Sequence, residues 1–283
     1  MTLMYNGKEC MQKASPREVF EYWIRERLNV LNSVNLNLPK PWSEDPIFRS
    51  VYFCNVQREE DKVTKYIRSW AAEDETENLL GVYTLARLIN WPDTLKEIDP
   101  NKIKRDPEYI FNTLKNIRKT NKKIFSGAYL ITTCGIKMDK LEYVMRVVND
   151  VTRVCLPQDT LQKQWEELIK IQGLGNFLAA QIVADLKNTQ DTTWSRADDF
   201  LTFVASGPGS IKGLNYYNNI PPEKGMSTSK FKELLDAARF NLYKDNPTLP
   251  KLCNQDLQNC FCEFSKYMRV LSGGRTKRNY HGW

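Results

Sequence analysis

Ser15-Pro16-Arg17-Glu18 combines an N-cap hydroxyl, a proline at the first helical position and a capping-box acid, and it opens onto Val19, Phe20, Trp23, Ile24, Leu28 and Leu31 at helical spacing. Asp106-Pro107-Glu108 repeats that start signal ahead of Ile110, Phe111, Leu114 and Ile117, and Leu79 to Ile89 is an apolar helix stopped by Asn90-Trp91-Pro92. Further helices fit Leu141 to Val154, Leu161 to Ile171, Phe177 to Leu186, Ser229 to Leu242 and Gln255 to Leu271. Strand-type alternation is scarce. Phe125 to Thr133 is the one ambiguous run, and with helices on both sides it reads as part of a buried helix. The pattern predicts an all-α fold. At 283 residues the chain is one large domain or two lobes.

The residues also exclude chemistry. His281 is the one histidine, which argues against a Ser-His-Asp triad, a His-rich zinc site or a histidine base. Seven cysteines without a CxxC pair read as reduced, buried small hydrophobes, and the cluster Cys253, Cys260 and Cys262 lacks a fourth thiolate for an iron–sulfur site. No metal and no cofactor is expected. No apolar run approaches the ~18 residues of a membrane span, and the N-terminal stretch lacks the apolar core of a signal peptide. A soluble intracellular protein is expected.

Charge is unevenly placed. Against 34 Asp and Glu the chain carries 41 Lys and Arg, a formal +7. Residues 101 to 123 hold eight basic residues, Lys122 and Lys123 among them, against Asp106 and Glu108, giving +6. Residues 266 to 283 hold Lys266, Arg269, Arg275, Lys277 and Arg278 and no acid, giving +5 and leaving −4 elsewhere. Two basic segments on a mildly acidic body fit the footprint of a polyanion; a solvated lysine-rich helix face with a basic tail gives the same count. Tyr280 and Trp283 add rings able to stack on bases.

The sharpest local motif runs from Trp165 to Ile182: a helix, the turn Gly173-Leu174-Gly175, and at once a second helix with Ala179 and Ala180 on its inner face. Such glycines permit positive φ and close approach to a phosphate, and the amides of Asn176 and its neighbours open the second helix outward. This helix-hairpin-helix would hold a DNA strand by its backbone without reading sequence. A glycine C-cap between two packed helices has the same local pattern.

With this hairpin the sequence resembles the helix-hairpin-helix DNA glycosylase superfamily, which implies a two-lobed, glycosylase-like helical fold. The resemblance implies one lobe over residues 70–190, ending in the hairpin at 165–185, and a second over 1–69 plus 191–283, forming one compact unit. It also implies an aspartate facing a flipped nucleoside about twenty residues after the hairpin. Asp198 and Asp199 occupy that window, and either can instead cap a helix starting near Phe200.

Further segments resemble a narrower family, the helical domain of phage 5-hydroxymethyluracil DNA kinases. That group includes the alpha-glutamyl/putrescinyl thymine pyrophosphorylases, or amino acid:DNA transferases. The segments are Pro41 to Ile47, Phe53 to Ile67, Phe125 to Thr132, the hairpin, Gly207 to Leu214 and Cys262 to Tyr267, in the family's order over residues 41 to 280. Cys54, Gln57 and Ser265 depart from the Thr, Tyr and Asp expected there. No Walker-type GxxxxGK[ST] occurs, so phosphorylation is not expected of this chain.

The resemblance implies a phage enzyme of thymine hypermodification, acting in the cytoplasm of the infected host and protecting DNA from restriction. Its substrate is double-stranded DNA carrying pyrophosphorylated 5-hydroxymethyluracil, supplied by a 5-hydroxymethyluracil DNA kinase, and an amino acid or polyamine displaces pyrophosphate. The positions that match carry candidate roles. Arg58, Lys62, Lys65, Asn55, Lys212, Glu263 and Lys266 would bind pyrophosphate or substrate, and the turn at Gly207 would offer N–H donors. Asp199, Asp198, Asp61 and Glu59 are the candidate bases. Gly173, Gly175, Asn176, Lys122, Lys123, Arg275, Lys277 and Arg278 would hold DNA. The alternatives are a glycosylase excising a modified base and a noncatalytic DNA-binding subunit. Taken alone, Arg58 to Lys65 also fits a solvated, self-paired helix face.

Overall fold

A computed structural model describes residues 14–129 and 131–275, and every regular element among them is a helix. In chain order these are α1 (Pro16–Asn35), α2 (Pro46–Ser50), α3 (Lys62–Ala71), α4 (Leu79–Ile89), α5 (Pro92–Leu95), α6 (Lys102–Arg105) and α7 (Pro107–Lys119). Then come α8 (Lys140–Val154), α9 (Leu161–Leu168), α10 (Asn176–Lys187), α11 (Pro208–Tyr217), α12 (Thr228–Asp245) and α13 (Asn254–Leu271). Short 3-10 turns lie at Arg58–Glu60 and Trp194–Arg196.

The helix starts follow from local chemistry. Ser15 Oγ accepts the Glu18 amide at 3.3 Å while the Glu18 carboxylate accepts the Ser15 amide at 2.8 Å, closing the capping box of α1. Asp106 caps α7 through the Tyr109 amide at 3.1 Å, and Asn90, at φ 47°, ends α4.

Three stretches differ from the sequence reading. The described residues of 125–133 form neither helix nor strand. They belong to an irregular connection that is tied to the end of α4 by the Ser126 amide on the Ile89 carbonyl at 2.9 Å. It turns through positive φ at Cys134 and Gly135, which a helix cannot pass. Gly207-Pro208-Gly209-Ser210, expected as a turn, is the N-terminus of the ten-residue helix α11. No helix starts near Phe200, where the chain makes turns only.

The chain divides into two compact units, one formed by residues up to Glu60 together with those from Val204, the other by Asp61–Phe203. The expected borders at 69/70 and 190/191 lie inside the second unit, because Ile67, Trp70, Ala71, Trp194, Ala197 and Phe203 belong to its core. That core is built around α4, whose Val82, Leu85, Ala86 and Ile89 are fully buried between α8 (Val144, Val147, Val148) and α10 (Ala179, Ile182, Val183). Each large aliphatic side chain so buried contributes about 1.5–3 kcal/mol.

In the other unit α13 is the axis. Phe20 of α1 stacks on Phe261 at 4.3 Å and meets Phe264 edge-on at 5.1 Å, contacts each worth about 0.5–1.5 kcal/mol beyond area. Backbones touch where α11 crosses α13: a Cβ at Gly213 would lie 1.9 Å from the Phe261 carbonyl oxygen. Only glycine fits there.

Candidate functional site

Three of the sequence motifs meet on α13. The segment from Tyr52 to Arg58 runs along one face of that helix, and the contacts climb it at helical spacing. Arg58 donates its amide to Asp256 Oδ1 at 3.0 Å, and Asn259 Nδ2 reaches the Asn55 carbonyl at 3.4 Å. Further along, Cys54 donates its amide to Glu263 Oε2 at 3.0 Å, and Lys266 Nζ binds both Glu263 at 2.7 Å and the Tyr52 carbonyl at 3.2 Å. Beside this face, Gly207 to Leu214 lies against α13 through its glycines: a Cβ at Gly209 would stand 2.6 Å from Cys262 Sγ.

A residue that the sequence reading missed completes the arrangement. Arg27 of α1 is 8% exposed and donates from Nε to the carbonyls of Phe53 at 3.2 Å and Cys54 at 3.0 Å, and from Nη2 to Asn55 Oδ1. Its Nη1 is buried without a hydrogen-bond partner among the described residues. Burial, only partly offset by Tyr52, Cys54 and Glu263, lowers the Arg27 pKa from the ordinary arginine value. Arg27 thus holds the carbonyls of Phe53 and Cys54, while Glu263 holds the Cys54 amide.

The other expected ligands of this unit are placed as follows. Arg58 is largely buried and pairs with Glu59 at 2.9 Å. Asn55 Nδ2 binds the Glu60 carbonyl at 2.9 Å. Lys212 stands half-buried on α11 and pairs with Glu223 at 2.8 Å. Ser210 Oγ accepts the Gly207 amide at 3.0 Å, so that donor is engaged within the helix start. Burial pushes the Cys262 thiol up to about 11 and Cys260 well above the ordinary thiol, which keeps both protonated at neutral pH.

The second unit holds the remaining candidates. Asp61 caps α3, accepting the Thr64 amide at 2.8 Å, and Lys62 and Lys65 follow it, exposed on α3. Asp199 accepts the amides of Leu161 and Gln162, each at 2.9 Å, with its two carboxylate oxygens. It therefore caps α9, the first helix of the hairpin, instead of a helix starting near Phe200. Asp198 beside it is exposed.

In the hairpin, Gly173 has φ +109°, and a Cβ there would come within 2.7 Å of Val147 and 2.9 Å of the Tyr143 hydroxyl. That glycine serves internal packing. Gly175 has open space around it, and Asn176 and Phe177 are exposed at the start of α10. Lys122 and Lys123 are exposed, with Lys123 Nζ 3.8 Å from the Trp91 ring centroid. Arg275 is exposed; Lys277, Arg278, Tyr280, His281 and Trp283 lie outside the described residues.

Beneath the hairpin lies a buried ion pair that the motifs did not announce. Arg87 of α4 and Asp185 of α10, 2% and 0% exposed, bond at 2.5 Å and 2.8 Å. Arg87 also reaches Asn90 and Thr64, both at 3.1 Å, and Arg68 joins from α3 to Tyr83 at 3.2 Å and Thr189 at 3.1 Å. Burial disfavours the Arg87 cation, but the Asp185 carboxylate outweighs it and raises the pKa above the ordinary arginine value. The signal in the sequence is a charge set inside an apolar helix, Leu79 to Ile89, where only a paired arginine can be buried.

Among the described residues no cluster of three or more His, Cys, Asp or Glu is disposed to hold a metal ion, and no helix is long and apolar enough to cross a membrane. Residues 16–275 match the family described as the helical domain of 5-hmdU DNA kinase. One curated relative, a 5-hmdU DNA kinase of Bacillus phage SP10, is 23% identical over 273 residues of alignment, covering 85% of this chain and 42% of the relative. The chain thus corresponds to less than half of that relative's length. No solved structure matches. Aligned along nearly all of its described length, the chain belongs to the 5-hmdU DNA kinase helical-domain family.

Proposed function

We propose that this chain is an amino acid or polyamine:DNA transferase of phage thymine hypermodification, acting on phage DNA in the host cytoplasm after a 5-hydroxymethyluracil DNA kinase. The observation that carries the reading is the convergence on α13, where segment 52–58 is held by Asp256, Glu263 and Lys266 and segment 207–214 packs on Phe261 and Cys262, across separations of up to 214 residues. A site of cations held by buried partners fits a substrate whose leaving group is pyrophosphate. The absence of a GxxxxGK[ST] motif sets the proposed step apart from the activity in the relative's name.

In the proposed reaction the bond between the exocyclic methylene of the base and pyrophosphate oxygen breaks, and pyrophosphate leaves with the electron pair. The neutral amine then forms a C–N bond at that methylene and loses its proton to a base. Arg58 and Lys266 are the cations along the α13 face, with half-buried Lys212 on α11 of the same unit; Lys62 and Lys65 are exposed in the other unit. Asp61 and Asp199 both accept backbone amides as caps, so as a base each would act from a fixed position. Glu59 is paired with Arg58, and Asp198 is the exposed carboxylate of the set. Opening amides at Asn176, with Gly175, Lys122 and Lys123, would hold the DNA backbone.

Duplex DNA carrying 5-pyrophosphoryloxymethyluracil tests the reading when it is incubated with the chain and an amine donor, digested to nucleosides and weighed. The expected result is pyrophosphate release and a product nucleoside with the mass of 5-hydroxymethyldeoxyuridine plus the amine minus water. Abasic sites instead would mean a glycosylase, and unchanged nucleosides with tight DNA binding would mean a noncatalytic subunit.

A further inference from the structure

Phe177 is a large apolar side chain left out of the core. It sits on the first turn of α10 and is 56% exposed, forgoing the stabilisation that burial would give a ring of its size. It is not solitary. The Tyr129 ring meets it edge to face at 5.0 Å and 85°, and the Tyr129 hydroxyl donates to Gln181 Oε1 at 3.4 Å. Gln181 lies four residues after Phe177, on the same face of α10. Two segments distant in sequence thus place an open aromatic face, a phenol and a primary amide side by side within one unit.

The surroundings select the ligand. The chain from Lys119 to Lys140 that carries Tyr129 holds Lys119, Lys122, Lys123, Lys137 and Lys140 against the single acid Asp139. Two of these ammonium groups lie over rings, Lys140 over Phe125 at 4.1 Å and Lys123 over Trp91 at 3.8 Å. An aromatic step on a lysine-rich segment fits an unstacked base on a polyanionic strand. The amide narrows the choice: a glutamine carries an oxygen with two lone pairs and two N–H donors, so beside its bond from Tyr129 its amide edge has the complement of the N3–H and the adjacent carbonyl of a uracil ring.

We propose that Phe177, Tyr129 and Gln181 form the seat of an unstacked uracil-type base of DNA, with the base face on Phe177 and its Watson–Crick edge toward Gln181. The seat rests on the proposed action on a DNA base, which requires that base to leave the stack. Nothing else in the proposed reaction uses these three side chains.

The test uses the full chain and a duplex in which one 5-hydroxymethyluracil pairs with 2-aminopurine, whose fluorescence rises when the pair opens. Wild-type chain is expected to give that rise on binding. Phe177→Ala lowers the ratio of flipped to stacked base by roughly 5- to 150-fold, seen as loss of most of the rise, and Phe177→Trp retains it. Gln181→Leu reduces the rise while affinity for an unmodified duplex stays at the wild-type level. Circular dichroism of Phe177→Ala should match the wild type, since the ring is exposed. Wild-type fluorescence from both Phe177→Ala and Gln181→Leu overturns the seat, as does a wild-type chain that binds the duplex without any rise. A wild-type chain that does not bind DNA overturns the seat together with the proposed function.

Discussion

Among the described residues each unit buries one arginine, and the two are satisfied by different means. Arg87 faces the carboxylate of Asp185 in a two-bond pair, with Thr64 and Asn90 taking its remaining donors. Arg27 faces no carboxylate in hydrogen-bond reach; its partners are two carbonyls and a side-chain amide, and one nitrogen is left over. The first arrangement joins helices α3, α4 and α10 and moves nothing but their relative placement. The second fixes a non-helical segment, the one that leads to Arg58. A buried cation matched by an anion is an element of the fold, whereas a buried cation spent on backbone oxygens shapes a loop.

Removing the partner of the matched cation should have the largest effect. Asp185→Ala leaves Arg87 buried and uncompensated and should cost about 3–5 kcal/mol in urea unfolding. The double variant Arg87→Met with Asp185→Leu should recover most of that loss. Equal stabilities for single and double variants would show that the pair is not the central tie of its unit. Arg27→Met comes next, at about 1.5–3 kcal/mol for hydrogen bonds to a charged donor, and it should depress pyrophosphate release more than it depresses stability. Arg27→Lys should not restore release, because one ammonium cannot span three acceptors in a planar fork.

A smaller effect separates cap from base. Asp199→Asn keeps one acceptor for the α9 amides and should cost about 1 kcal/mol, within the ~0.5–2 kcal/mol range of caps. If Asp199 serves only the hairpin, modification by Asp199→Asn proceeds at a near wild-type rate once the protein is folded. A loss of modification at unchanged melting temperature would give it the base role.

Much of the fold was readable because its signals are local. Ser15-Pro16-Glu18 and Asp106-Pro107 carry their own caps within four residues, and both helices begin where those residues require. The stretch around Tyr129 was not readable, because the carbonyl that holds Ser126 belongs to Ile89, on another helix. Gly207-Pro-Gly-Ser has the composition of a turn, yet Gly209 and Gly213 serve close contact with α13 in a helix, a demand set by residues some fifty positions later. The site shows the same division. Motif order pointed to Arg58, Glu263 and Lys266, but Arg27 lies outside every motif and Asp185 lies 98 residues from Arg87.

The smallest expected effect compares one carboxylate from each unit across pH. Asp45 is fully buried; burial raises its pKa above the ordinary aspartate value, against the opposing bonds from Tyr267 at 2.8 Å and the Ile47 amide at 2.7 Å. Asp139, half-exposed, has a burial penalty that Arg118 at 2.7 Å and the amides of Leu141 and Glu142 together outweigh, and its pKa is lowered. The signs are opposite. A raised native pKa means that the folded chain binds the proton more tightly, so the Asp45 contribution is full below the unfolded value near pH 4 and is lost as pH rises through the native one. A lowered native pKa means that the Asp139 contribution is full above about pH 4 and is lost as pH falls. Between about pH 3 and pH 6, Asp45→Asn should therefore gain stability relative to wild type as pH rises, while Asp139→Asn should lose it by less than about 1 kcal/mol, as befits an exposed pair. Melting curves of the three proteins across that range check the slopes, and parallel slopes for the two variants would mean that the contrast between the buried and the half-exposed carboxylate does not reach the stability of the chain.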